Sequence, residues 1–371
     1  MTMKIADITF DRNRVSANID GFELWYTLSG EIPSAAFPDL GSALLCAALL
    51  PAMRRRRSLR IDSPISSELL RNTDELQKVF SRWYGLSAIP IEAQAIPSRP
   101  VVEGGVGCFF SGGVDSIYSF LSNRKLITHL LTIRGADMEV DSRLWPEVLA
   151  ANQRFAGDFG VKLIAVETNA RRFITAFGSN WPEAHGGVLA GIAHLVGFGR
   201  TIIASSHSED DDFPWGSHKD TDHLWSTESS RLVHDGAIRR NEKIRLIGQT
   251  PNSLSGLRVC WQDKTYNCGT CEKCLRTRIS LRLLGLESDS LKPLESIDEL
   301  KSYRIGNESE LAYFLDNLHL AETVGDLELA ESLRIKIRAW ERWRKVRKCG
   351  SSFVQGVRGR ARRVLERVGV R

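Results

Sequence analysis

Two groups of residues in this 371-residue chain have the types and spacing to do chemistry. The first is Ser111-Gly112-Gly113-Val114-Asp115-Ser116. Adjacent glycines let the backbone turn sharply and approach a bound anion, so that successive N–H groups and the start of a following helix face phosphate oxygens. Ser111 and Ser116 add hydroxyl donors, and Asp115 suits either a helix cap or the orientation of a metal-bound water. The second group is Cys260 with Cys268, Cys271 and Cys274. The short spacers let consecutive thiolates reach one ion, and the longer one brings the fourth from a preceding strand. Four sulfurs suit tetrahedral zinc, and a closed shell of four leaves no position for water, which makes the expected role structural. An iron–sulfur cluster is the other group such ligands hold.

The elements that must position these residues follow from the apolar pattern. The run 106–110 reads as a strand and 117–122 as a helix, so the glycines sit in a strand-to-helix turn. Neither a G-x-x-x-x-G-K-[ST] loop nor a G-x-G-x-x-G fingerprint occurs there. Strands are expected at 105–110, 129–133, 162–167 and 201–205, alternating with helices at 144–159 and 183–196. Such alternation predicts an α/β fold, a doubly wound parallel sheet with ligand at the carboxyl ends of its strands. The stretch 208–236 reads as a long polar loop, and Glu209–Asp212 as either a magnesium site or a solvated acidic segment. His185, His194, His218 and His223 read as packing or surface histidines.

Residues 1–97 read as a separate N-terminal α+β domain, with strands at 4–10, 14–19, 22–28 and 58–62 and helices at 40–53 and 66–84. It would serve packing, homodimerisation or substrate binding. A linker follows at 97–105. The nucleotide-binding domain is expected at 104–290, including a cysteine segment at 258–284, and a helical region with a basic tail at 291–371.

The chain carries 50 Lys or Arg against 45 Asp or Glu. The excess is local: 334–371 hold 14 of the basic residues and only Glu341 and Glu366 of the acidic ones. In the tail Ile335, Ala339, Trp343 and Val346 share one helical face, and so do Val354, Val357, Ala361, Val364 and Val368. Basic amphipathic helices suit nucleic acid, an anionic membrane or an acidic partner; the bland alternative is packing onto the acidic remainder. No secretory pattern opens the sequence, and the apolar run 43–53 is too short to span a bilayer, so a cytoplasmic protein with no transmembrane segment is expected. Four of the seven cysteines crowd into fifteen positions, which favours metal over disulfides. Cys46 and Cys108 read as small core residues.

Ser111–Ser116 resembles the pyrophosphate loop (PP-loop) of the ATP pyrophosphatases. Together with Asp212-Phe213, Glu242-Lys243-Ile244 and the four cysteines, in this order, the stretch 104–285 resembles the 7-cyano-7-deazaguanine synthases of the queuosine pathway, as a divergent member. The resemblance implies an adenine nucleotide alpha hydrolase-like fold with ATP, Mg2+ and Zn2+ as cofactors. It implies adenylation of a small-molecule carboxylate with release of pyrophosphate, then attack by ammonia or another nitrogen nucleophile. Ser111, Gly112, Gly113, Val114, Asp115 and Ser116 would bind ATP, with Asp115 and Lys243 catalytic and Asp212 touching the substrate. Lys243 would add a cation at the alpha phosphate. Where that family has an aromatic and Gly-Gln-Arg-His-like stretch, this chain has Arg134-Gly-Ala-Asp-Met-Glu139, and the family normally lacks the N-terminal domain and basic tail. An ATP-dependent tRNA-modifying enzyme of the PP-loop class and a nucleotide-binding module without turnover are the alternatives.

Overall fold

A computed structural model describes residues 1–32, 40–97, 105–211, 213–262, 264–301 and 303–345. The chain opens with β1 (Thr2–Asp11), β2 (Arg14–Ile19) and β3 (Phe22–Leu28), an antiparallel meander. Asp20 and Gly21 join β2 to β3 with φ of 50° and 87°, the left-handed pair that a tight hairpin turn requires. Next come α1 (Leu40–Arg54), β4 (Ser58–Ile61), β5 (Ile65–Ser66), α2 (Ser67–Tyr84), β6 (Ile91–Glu92) and β7 (Ala95–Ile96). Ser66 caps α2 by accepting from Leu69 N–H at 3.0 Å, and Gly85 ends it in the left-handed region. Helix α1 is apolar on every side and buried from Gly41 to Met53, as a helix without a polar face must be.

The alternating part follows: β8 (Val106–Phe109), α3 (Val114–Ser122), β9 (His129–Arg134), α4 (Trp145–Asp158), β10 (Lys162–Thr168), α5 (Ala170–Ala176), α6 (Trp181–Val196), β11 (Arg200–Ala204), β12 (Arg231–Asp235) and α7 (Arg240–Ile247). The four strands read from the sequence are all present. Strand β12 was hidden inside the stretch read as loop, because its five residues Arg-Leu-Val-His-Asp carry little apolar signal.

The result is an α/β fold around a large, mostly parallel sheet of ten strands, in the order β12-β11-β8-β9-β10-β3-β2-β1-β4-β6. This differs from the expected separate domain at 1–97. Strand β3 pairs antiparallel with β10, Leu28 opposite Val166 and Tyr26 opposite Thr168, so the meander closes an edge that the parallel strands would otherwise leave open. The apolar core is shared too: Leu24, Tyr26, Leu44 and Leu49 pack in one cluster with Leu131, Val166, Phe173 and Ile192. Residues 1–274 with 287–292 form one compact unit, and the expected linker at 97–105 lies outside the described residues except for its two ends.

The pleat divides the parallel strands between two layers. Val166 faces the cluster of α1, α5 and α6, while its neighbour Ala165 faces α4 with Met138, Trp145 and Val148. On the α3–α4 side Phe155 is at the centre of an aromatic cluster, its ring centroid 4.6 Å from Phe110, 5.4 Å from Phe120 and 4.5 Å from Phe159. Helix α6 approaches α1 at glycines: a Cβ on Gly187 would stand 2.2 Å from Cys46 O, and one on Gly191 2.6 Å from Ala43 O.

Among the described residues a second unit holds 275–286 and those between 293 and 345, so its start precedes the expected 291. Its elements include most of α8 (Glu272–Leu284), α9 (Glu308–Val324) and α10 (327–345), with Ile279, Phe314, Leu333, Ile337 and Trp340 in the core. The helical face expected for the tail is corrected here. Ile335 and Trp343 are about half exposed, at 53 % and 45 %, and Ala339 is exposed, whereas Ile337 and Trp340 are buried. The tail beyond 345, including Val346 and Val354–Val368, lies outside the described residues. Among the described residues no helix is long and apolar enough to cross a membrane.

Candidate functional site

Counting only the parallel part, β12-β11-β8-β9-β10 is a doubly wound order in which successive connections leave β8 towards β9 on one side and reach β11 on the other. Ligands of such sheets bind where the order reverses, at the carboxyl ends of the central strands. Ser111-Gly112-Gly113 occupies that position, between β8 and α3. Gly112 has φ of 73°, and a Cβ there would stand 2.9 Å from Asn152 Oδ1. A side chain at this position is therefore opposed by both backbone and space. Gly113 is extended, at φ −90°, and starts α3 without a side-chain cap.

The six loop residues divide into two roles. Ser111 is exposed. Ser116 is buried and works inside the loop: its Oγ donates to Gly113 O at 3.0 Å and accepts from Ser111 N–H at 3.2 Å. Val114 is wholly buried and anchors α3 in the core. The loop is thus held from beneath, with the start of α3 directed at the switch point.

Asp115 accepts from Lys243 Nζ and from Arg240 Nη1, both at 2.8 Å. The two cations sit three residues apart on α7, which packs along α3. Lys243 also donates to Ser205 O at 2.6 Å, where β11 ends. Its side chain is 1 % exposed and that of Arg240 6 %. The structure therefore brings together Asp115 and Lys243, which the sequence named separately, and adds Arg240, which it did not. Glu242-Lys243-Ile244 drew attention as a weak motif; nothing in periodicity marked Arg240. The arrangement also changes the expected role of Lys243. An ammonium held between a carboxylate and a carbonyl beneath the loop fixes α7 and β11 to α3, and it is not presented as an added cation.

Asp212, the expected substrate contact, lies outside the described residues. Around it the long loop is ordered by contacts the sequence did not reveal. Asp222 is fully buried and accepts from Ser217 Oγ at 2.7 Å and His218 N–H at 3.1 Å, with His234 Nδ1 at 2.7 Å. His207 meets Phe213 and Trp215 edge-on. Asp211 takes the N–H and hydroxyl of Ser208, both at 2.9 Å, and Asp210 pairs with Arg239. These carboxylates serve the loop, and among the described residues they form no group with metal-ligand geometry. His194 Nε2 lies 3.0 Å from Trp225 O, and His218 packs edge-on against Trp83. Burial pushes the His185 and His218 imidazoles below their usual range.

The four cysteines converge. Their sulfurs all lie within 4.8 Å of one another, with Cys260 and Cys271 at 3.8 Å and Cys268 and Cys274 at 3.9 Å. Hydrogen bonding from the other sulfurs pulls the Cys271 thiol down to about 5 and pushes that of Cys274 up. Four sulfurs this close together fit a single cation that takes the place of their protons, and the group could hold a metal such as zinc. Asn267 ties the cluster to the segment before it: its Oδ1 accepts from Val259 N–H at 3.0 Å and Cys260 N–H at 3.2 Å, and its Nδ2 donates to Leu257 O at 2.8 Å. Tyr266 donates to Gly256 O at 2.8 Å, and Ser290 to Leu257 O at 2.7 Å. That segment reaches the glycine loop, where Arg258 N–H donates to Gly112 O at 2.8 Å. Beside it a cleft of about 250 Å³ is walled by Phe110, Gly112, Asn152, Arg154, Phe155 and Gly256 among others.

A comparison of the chain with protein-family models gave no matching family. No curated protein matches it either.

Proposed function

We propose that the chain is an ATP-dependent enzyme of the PP-loop pyrophosphatase type, with an adenine nucleotide alpha hydrolase-like fold, and that it activates a carboxylate or carbonyl oxygen for attack by a nitrogen nucleophile. One observation carries this reading: the Ser-Gly-Gly turn lies at the reversal of a doubly wound sheet, pinned from below by Ser116 and opening onto a cleft. The resemblance to the 7-cyano-7-deazaguanine synthases gives the reaction class.

In this reading the substrate oxygen attacks the alpha phosphorus, the bond from that phosphorus to the bridging oxygen breaks, and pyrophosphate leaves with the electron pair. The chain contributes positioning and charge. Ser111 and the first-turn amides of α3 face the departing oxygens, and Asp115, Arg240 and Lys243 keep α3, α7 and β11 in register around them. Magnesium would enter with the nucleotide and neutralise part of its charge. The cysteine-bound metal would stabilise 254–274 and take no part in the chemistry.

The test is product analysis. The purified chain with ATP, magnesium, ammonium and a metabolite extract should form AMP and pyrophosphate, and Gly112→Val should abolish this because the new side chain would strain the turn and collide with Asn152. Formation of ADP and phosphate, or a Gly112→Val chain that turns over normally, would remove the reading.

A further inference from the structure

The loop as described has a glycine backbone and hydroxyls but lacks one thing that polyphosphate binding needs. Arg240 and Lys243, the cations paired with the loop's own Asp115, are buried and already joined to it. A triphosphate brings several negative charges, and side-chain cations within a few ångströms supply much of the attraction that holds it.

Arg258 lies against the loop. Its N–H bonds to Gly112 O at 2.8 Å, and its Cβ lies 3.8 Å from the point where a Gly112 side chain would begin. Among the described residues no carboxylate lies within ion-pair distance of its guanidinium, and its Nε is buried without a hydrogen-bond partner. A buried, unsatisfied donor on a charged group is costly and marks a place for an acceptor. The wall of the neighbouring cleft contains Gly112, which Arg258 N–H bonds, Ser255 and Gly256, which precede Arg258 in sequence, and a second arginine, Arg154, but not Arg258 itself.

What holds Arg258 there is the cysteine segment. Residues 254–260 form no regular element. Their carbonyls and amides are taken instead by Asn267, Tyr266, Ser288 and Ser290. Tyr266 and Asn267 sit in the loop that Cys260 and Cys268 close, and Cys260 is two residues from Arg258. A metal on the four sulfurs would fix that closure.

We propose that Arg258 is the phosphate-binding cation of the glycine loop, and that the four-cysteine cluster acts on anion binding by holding Arg258 in place. This rests on the reading of the loop as a nucleotide site and deepens it. It also gives the metal a consequence at a distance: an ion with no open coordination position sets the affinity of a neighbouring site for polyphosphate.

The experiment is calorimetric titration of the zinc-loaded full-length chain with pyrophosphate, on the wild type, Arg258→Ala, Arg258→Lys, Cys271→Ser and the Arg258→Ala/Cys271→Ser double variant, each checked by far-ultraviolet circular dichroism. Arg258→Ala should weaken binding by about tenfold or more with an unchanged melting temperature, as expected for loss of a charge-assisted contact. Arg258→Lys should retain part of the affinity. Cys271→Ser should lose a similar factor, and adding Arg258→Ala to it should cost little more, since both remove the same contact. Wild-type affinity in Arg258→Ala overturns the assignment, and full additivity in the double variant overturns the coupling. If Cys271→Ser does not fold, Asn267→Ala replaces it in the same cycle. Loss of binding on Arg154→Ala with none on Arg258→Ala would move the role across the cleft. No pyrophosphate binding by the wild type, by contrast, removes the nucleotide reading itself.

Discussion

Asp115 shows how far a single residue can be read from its neighbours in sequence. Its place after Gly-Gly-Val suggests a group facing ligand, and that is how the hexapeptide presents it. The fold gives it two buried cations from 125 and 128 positions further on, a long-range contact that no local pattern encodes. Its removal therefore has a structural cost. Asp115→Ala leaves Lys243 and Arg240 without their carboxylate, and breaking a buried pair from one side typically costs about 3 kcal/mol. Urea denaturation of the intact chain should show a loss of that order. Adding Lys243→Met should restore roughly 1 kcal/mol or more, because one of the stranded charges is then gone. A double variant no more stable than Asp115→Ala would mean that Lys243 does not depend on the carboxylate. Cys260, Cys268, Cys271 and Cys274 lie at the other extreme. Their convergence was legible because ligand spacing is itself a local signal, and the sulfurs do lie within reach of one ion.

Among the elements, those with strong periodicity or turn chemistry were read closely: β2 and β3 with their Asp-Gly turn, α1, α2, α6 and the four parallel strands. Those missed are short or polar. Strand β12 has five residues, two of them charged and one a histidine, and is recognised only by the β11 edge it completes. The α1–α6 contact makes a sharper point about what sequence leaves out. Gly186-Gly187 and Gly191 inside a sixteen-residue helix look like weak helix formers. In the fold, Gly187 and Gly191 are where one backbone lies against another. Gly191→Ala puts a methyl 2.6 Å from Ala43 O and should destabilise by about 2 kcal/mol, within the usual cost of overpacking. Gly157→Ala near the end of α4 meets nothing within 4 Å and should instead stabilise by roughly 0.5 kcal/mol through the unfolded chain. Equal effects at both sites in thermal melts would mean that helix propensity, and not close approach, governs α6.

At the scale of the whole molecule the question is whether the first 97 residues are an appendage or part of the body. The change of pattern near residue 100 argued for an appendage, since a meander followed by alternating strands and helices resembles two domains in succession. Strand pairing decides otherwise, because β3 continues the sheet from β10 and α1 is enclosed with α6. The magnitudes make the same case. Leu44, Leu45, Leu49, Leu50 and Met53 of α1 are each at most 3 % exposed, and at about 2 kcal/mol for each buried side chain they contribute about 10 kcal/mol together. That is comparable to the whole net stability of a typical domain, about 5–15 kcal/mol. A chain consisting of 98–371 would leave Val188, Ile192 and Leu195 uncovered and the β10 edge unpaired. It should be recovered aggregated or without a cooperative thermal transition. Coexpression with a separate 1–97 chain should restore solubility and a single transition, since the missing strand edge and helix are then supplied in trans. A soluble 98–371 chain that melts cooperatively by itself would reinstate the two-domain reading, and would mean that the shared core contributes far less than its burial indicates.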